Sequence, residues 1–338
     1  MQIKKTITKY LLLIAIFLLF LNVVIDLVKK PQQEKTNNSY KELTVAKIDS
    51  VFLSVLYEYG IEPQWVSVKK IKVPYEDSIS KQINVVLPAD LPIPLIIKDV
   101  HNIIENDITG FVSEEKKQYG TTEIRIYSNE LLKLKALLVP GKEIVRDRNR
   151  LAFIISDALE LGQSDFSEFL SIPYILATIA VPNESTVIKV DSLRKYYKEY
   201  IVLLSNDIND KKFRLDARDQ KALLRNSISN ISRDFNNAKM FCVDENSRLY
   251  NSTVYNFVRD EFLKRKIVLR KQTEFLSLAG NEQEILSKFK FYCEDETGLK
   301  EKTFLLDYTT FKLIRNDLER YRKKGSRIVA LSSTSLMQ

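Results

Sequence analysis

The chain has 338 residues, 45% of them hydrophobic, and its 52 Lys and Arg outweigh 44 Asp and Glu to give a net charge of +8. That length and apolar content exclude a disordered chain and allow one large core or two. Only Cys242 and Cys293 are available as thiols, which excludes a disulfide scaffold and a cysteine-based zinc site, and acids interspersed with the basic residues argue for solvated surface rather than a nucleic-acid interface.

Tyr10 to Val28, "YLLLIAIFLLFLNVVIDLV", is almost entirely apolar, interrupted by Asn22 and Asp26. As a helix it would be about 28 Å long, close to one hydrocarbon thickness. Lysines flank it on both sides, and neither a small-x-small cleavage site nor a lipidation cysteine lies nearby. The expectation is a retained anchor over residues 1–30, an N-terminal transmembrane helix with its basic end cytoplasmic and the body periplasmic or at the cell surface. Residues 31–45, "PQQEKTNNSYKELTV", are polar and read as a tether.

From Ala46 the pattern turns structured. Ile48, Val51, Phe52, Val55 and Leu56 fall at helical spacing and stop at Gly60. Strand-like "WVSVKKIKV" and "KQINVVLP" follow, then a helix from about Ile93 to Glu105 and the strand patterns "ITGFVS", "TTEIRIYS" and "LLKLKALLV". These predict a small α+β domain over residues 46–145, a candidate surface for a protein partner. The one histidine, His101, sits in its second helix and reads as a surface or half-buried helix residue.

Beyond "GKEIVRDRN" the rhythm becomes strand, helix, strand. The predicted strands are "LAFIIS", "YILATIAV", "YIVLLS", "KMFCV", "KIVLR", "TFLLD" and "RIVALS". The first is apolar without alternation, as a strand covered on both faces must be. Repeated βα units predict an α/β fold over residues 146–338 with a parallel sheet, open or closed, and seven strands favour the closed barrel.

The C-terminal ends of those strands are polar: Asp157, then Ser205-Asn206-Asp207, then Asp244-Glu245-Asn246, then Asp307. In a barrel these residues face one crevice. The same residue types also cap the helices that follow, so each has a plain structural use. With no histidine on these strands, a Ser-His-Asp triad or a histidine zinc site is excluded. The chemistry left open is a hard-cation site of carboxylates, with Asp157 and Asp244 as ligands for Mg²⁺, Ca²⁺ or Mn²⁺, or a binding crevice without metal. Arg248 would orient a carboxylate or hold an anionic ligand.

From about Arg150 to Ser332 the chain resembles the divergent polysaccharide deacetylases, which have a NodB-like (β/α) barrel. The resemblance is carried by "RLAFIISDALELGQSDFSEFLSIPYILATIAVPNE", "YIVLLSND", "FCVDENSRLYNSTVYNFVRDEFLKRKIVLRKQTEFL" and "KTFLLDYTTFKLIRNDLERYRKKGSRIVALSS". It implies that Asp157 matches one acid of the family's strand-one pair, with Ser156 in place of the other. Asn206 and Asp207 stand where the family has His-x-Pro, Asp244 to Asn246 where it has Asn-Asn-His, and Asp307 at its Gly-His turn. Every histidine of the family pattern is replaced. The resemblance therefore implies an envelope protein that binds peptidoglycan or another N-acetylated glycan through Asn206, Asp207, Asn246 and Arg248 without hydrolysing it. The alternative it leaves is a metal-dependent deacetylase using Asp157, Asp244, Glu245 and Asp307 in place of histidines.

Overall fold

The computed structural model describes residues 42–72, 79–116, 118, 120–146, 148–205, 208–295 and 300–337. In the first half, helix α1 (Val45–Glu58) begins at Thr44, whose side chain accepts from the Lys47 amide, and buries Ile48, Phe52, Val55 and Leu56 along one stripe. Strands β1 (Val66–Lys70) and β2 (Lys81–Pro88), helix α2 (Ile93–Ile104), and strands β3 (Gly110–Glu115), β4 (Thr122–Ser128) and β5 (Leu131–Gly141) complete this part. The sheet order is β1-β2-β5-β4-β3, with β2 and β5 the one parallel pair. Ile83 and Val85 of β2, Ile124 and Ile126 of β4, and Leu134, Ala136 and Leu138 of β5 alternate onto the face that meets α1 and α2. His101 lies on α2, half exposed, with Nδ1 3.5 Å from Glu105 and its ring edge-on to Phe111.

The second half runs β6 (Arg150–Ile155), α3 (Gln163–Ser171), β7 (Ala177–Ala180), α4 (Glu184–Lys195), β8 (Glu199–Leu204), α5 (Lys221–Asp234), β9 (Met240–Val243), α6 (Tyr255–Leu263), β10 (Leu269–Lys271), β11 (Leu276–Ser277), α7 (Glu282–Glu294), β12 (Glu301–Leu306), α8 (Tyr308–Lys323) and β13 (Arg327–Ile328). The order β10-β9-β8-β7-β6-β12-β11 is parallel throughout, and the sheet curls into a half-barrel with its helices outside. Outside lies the larger core, where Phe153, Phe289, Phe304 and Phe311 pack ring against ring at 5.5–6.4 Å. Inside, Ile154, Ala177, Ile201, Met240 and Cys242 line the curl, and Phe275 and Leu331 fill it. Both cysteines are free and buried.

Two expectations are corrected, and a third falls outside the described residues. The sheet is a half-barrel and not a closed barrel: the segment lying between β9 and β12 pairs with each over two or three residues only. It pairs with β9 as far as Lys271 and with β12 only from Leu276, and a 3₁₀ turn over Gln272–Glu274 separates the two. The Lys271 amide, a donor a closing ladder would need, is given instead to the Glu274 carboxylate at 3.1 Å. Next, "RIVALS" supplies only β13, two residues wedged against the start of β6, because the chain then turns under the sheet at Leu331–Ser333. Finally, the transmembrane helix expected over Tyr10–Val28 lies outside the described residues, and among the described residues no helix is long and apolar enough to cross a membrane.

The two halves are locked together at Arg146. Its buried guanidinium forks onto Asp90 and donates to the carbonyl oxygens of Tyr59 at 2.9 Å and Lys323 at 2.6 Å. The backbones approach closely here: a Cβ on Gly60 would lie 2.5 Å from the Lys324 oxygen, and one on Gly325 2.7 Å from Arg146. Both glycines have positive φ, +69° and +106°, so neither position suits a side chain on either ground.

Candidate functional site

Because the second sheet is parallel, the C-terminal ends of its strands share one mouth. At β6 and β12, which are hydrogen-bonded neighbours, the acids Asp157 and Asp307 stand side by side in topology, and both serve the first turn of α8. Asp307 is its N-cap, with Oδ1 accepting from the Thr310 amide at 2.6 Å, and Asp157 Oδ1 accepts from the Tyr308 amide at 2.8 Å. Two carboxylates at a helix N-terminus also complement its dipole. Ser156 beside them donates to the Leu306 carbonyl.

Three strands away, at the end of β9, Asp244 closes a turn on itself: Oδ1 accepts from the Asn246 amide at 2.9 Å, and its carbonyl takes the Ser247 hydroxyl. Glu245 reaches across to the segment after β10, where Oε2 accepts from the Thr273 hydroxyl and amide and Oε1 lies 3.1 Å from Lys271 Nζ. The Thr273 hydrogen bond and then Lys271 hold the Glu245 carboxyl below the ordinary range, and Glu245, followed by Tyr250, raises Lys271. Asn246 and Arg248 are exposed beside this group. Asn206 and Asp207 lie outside the described residues.

The mouth thus divides into a β6/β12 side and a β9/β10 side. The β9/β10 side contains groups that the strand-end reading missed. Lys271 Nζ sits 5.7 Å from the ring centroid of Tyr250, and Tyr250 lies 4.7 Å from Tyr255 at a 52° tilt, giving a half-buried aromatic pair next to an ammonium and two exposed amides, Asn246 and Asn251. The signal was present: "RKQT" directly follows the apolar "IVL" and is a polar strand end like the others.

The deacetylase resemblance implies a divalent metal, and the described residues do not fit one. Among them no three His, Cys, Asp or Glu side chains converge, and the acids nearest the expected position already hold backbone amides. Cys242 faces the interior of the curl, with burial pushing its thiol up to about 12, and the one histidine is on α2. What the mouth offers is neutral hydrogen-bonding groups, a paired Lys-Glu and two phenol rings.

No family model and no curated protein matches the chain. Among solved structures, an uncharacterized protein from Agrobacterium tumefaciens C58 is similar over 57% of this chain and 91% of its own, at 14% identity and a TM-score of 0.38. A likeness of that size carries no argument about fold or activity.

Proposed function

We propose that this is a divergent polysaccharide deacetylase-like protein whose sheet mouth binds N-acetylated envelope glycan and does not cut it. One observation supports this above the rest: the acids the resemblance aligns with catalytic positions act as structural acceptors, Asp157 for Tyr308, Asp307 for Thr310 and Asp244 for Asn246. Each of these carboxylates has Oδ1 tied to a backbone amide, and no imidazole stands at the mouth to protonate a leaving amine. The exposed amide of Asn246, with Arg248 and the Tyr250–Tyr255 pair, suits a ligand of hydroxyl, acetamido and C–H faces.

The test is binding of the full chain to peptidoglycan and to soluble N-acetylglucosamine oligomers, with acetate release measured in the same samples. Binding that falls with Asn246→Ala and Arg248→Ala, and no acetate, is the expected result. Acetate release abolished by Asp157→Asn would replace this reading with a hydrolase built on carboxylates. Absence of binding to any acetylated glycan would remove the glycan from it.

A further inference from the structure

The opposite end of the same sheet has a different character. There the loops that lead from each helix into the next strand lie together, again because all the strands are parallel. Half of this end is covered by the first domain, where Gly60, Arg146 and Arg148 meet the C-terminal ends of α7 and α8. The other half, formed by the loops entering β8, β9 and β10, is open.

Two kinds of side chain project from the open half. Arg194, Lys195, Lys239 and Lys266 are exposed and form no ion pair among the described residues. Lys239 and Lys266, with Arg265, Arg270 and Leu336, line a cleft of about 630 Å³ with no carboxylate among its described lining residues; Arg270 there donates to the Leu336 carbonyl at 3.2 Å and lies 3.7 Å from Glu274. The acids on these loops are few and engaged: Asp234 holds Lys212 and Arg233, and Glu261 holds Arg225, Lys264 and Arg265, while Asp191 lies a turn behind Arg194 on α4. Between the cations stand apolar tips, Tyr196 at 52%, Tyr197 at 81%, Leu263 at 56% and Val268 at 60% exposure.

The backbone gives an independent sign. Four helices, α1, α4, α6 and α8, end in the same turn, which sets one residue in the left-handed region. At α1 and α8 that residue is glycine, Gly60 and Gly325, as the conformation favours. At α6 it is Lys266, φ +63°, and at α4 it is Tyr197, φ +55°. The two departures place a cation and an aromatic ring, both exposed, at the two ends of the open half.

We infer that this open end docks on an anionic phospholipid surface, with Arg194, Lys239 and Lys266 toward headgroup phosphates and the tyrosine and aliphatic tips in the interfacial layer. Charge complementarity supplies the attraction, and the tips select a bilayer over a soluble polyanion, which would use the cations and leave Tyr197 and Val268 in water. This goes beyond the glycan reading and does not depend on it.

The full chain, labelled with a polarity-sensitive fluorophore at Tyr197→Cys or, at the mouth end, Gly162→Cys, is mixed with vesicles of phosphatidylcholine alone or with added phosphatidylglycerol. Cys242 and Cys293 are buried and stay unlabelled in the folded protein. The expected result is a blue shift at position 197 with anionic vesicles only, and none at 162. Adding Lys239→Ala and Lys266→Gly lowers the anionic preference about 25-fold, about five-fold per charge. Lys266→Gly also relieves the left-handed backbone, so the variant melts at or above the parent temperature and weaker binding cannot be put down to unfolding. An unchanged spectrum at 197, an equal shift at 162, or a response to a soluble oligonucleotide but not to vesicles overturns the inference.

Discussion

Replacing Asp157 with Ala and with Asn separates its two readings, because Asn keeps an oxygen where the carboxylate has one and loses only the charge. In the folded chain Asp157 Oδ1 takes the Tyr308 N–H at 2.8 Å, one of the α8 amides with no acceptor inside the helix. Removing such an acceptor costs about 1 kcal/mol, and losing a negative charge at a helix N-terminus about 0.5 kcal/mol more. Asp157→Ala is thus expected to destabilise by about 1.5 kcal/mol and Asp157→Asn by about 0.5 kcal/mol. At about 2–4 °C per kcal/mol these are shifts of about 3–6 °C and 1–2 °C in Tm. The assay is a thermal melt of the wild type and both variants, repeated with Mg²⁺, Ca²⁺ and Mn²⁺. If Asn costs as much as Ala, the capping account fails. So does it if a cation at 100 times its Kd raises the wild type, by about 2.7 kcal/mol, and leaves Asp157→Asn unmoved, since that ion would need the charge that the cap does not.

Other outcomes follow from the same structure. Arg146→Ala removes a buried guanidinium from the more exposed Asp90 and leaves the Tyr59 and Lys323 carbonyls unmet, so a loss of about 2 kcal/mol is expected in urea unfolding, and a loss below about 1 kcal/mol would show the two halves are held elsewhere. Lys198, buried with its ammonium on the Ile172 and Tyr174 carbonyls, is pushed down by burial to about 8, so between about pH 8 and 10 the unfolded chain holds the proton that the folded chain releases. Stability therefore rises with pH across that window, by about 2 kcal/mol in the limit, and Lys198→Met should flatten the rise. Burial raises both thiols to about 12, so Cys242 and Cys293 should react with a disulfide reagent only on unfolding, and prompt labelling of either in native buffer would contradict their placement.

Local chemistry was legible in the sequence where it acts over a few residues. "LAFIIS", "YIVLLS" and "TFLLD" read as buried strands because both faces are apolar, and "KQINVVLP" is β2 residue for residue. Caps such as Asn183 and Asn281 stand where a polar residue precedes a helical pattern. What depended on distant partners was not legible. Nothing in "RIVALS" says that the chain turns away after two paired residues, because the space that takes Leu331 is made by distant strands, from Ile154 of β6 to Cys242 of β9. The open edge is equally non-local, since "LRKQTEF" is a good strand pattern until Glu274 takes the Lys271 amide and Glu245 takes Thr273.

The site was legible by residue type, with its role open between two alternatives. Asp157, Asp244 and Asp307 were found because acids end strands, and two alternatives, ligand or cap, were both open at that point. The contact that weighs between them joins Asp157 to a residue 151 positions away, which no local pattern shows.

The two ends of the half-barrel differ for a reason rooted in the parallel sheet itself. Helices leaving the mouth start there, so their free amides gather acids and amides such as Asp307, Asn183 and Asp157. Helices arriving at the opposite end finish there, and their free carbonyls gather Arg194, Lys195, Arg233 and Lys323. Any parallel α/β sheet has this polarity in weak form. Here the first domain covers one part of the basic end, and Lys266 and Tyr197 hold unfavourable backbone on the part left open. If that part lies on an anionic bilayer, the mouth necessarily points away from it, toward the layer where an envelope glycan would be met. The glycan and membrane readings therefore support each other geometrically while resting on different residues, and each has an experiment in which it fails alone.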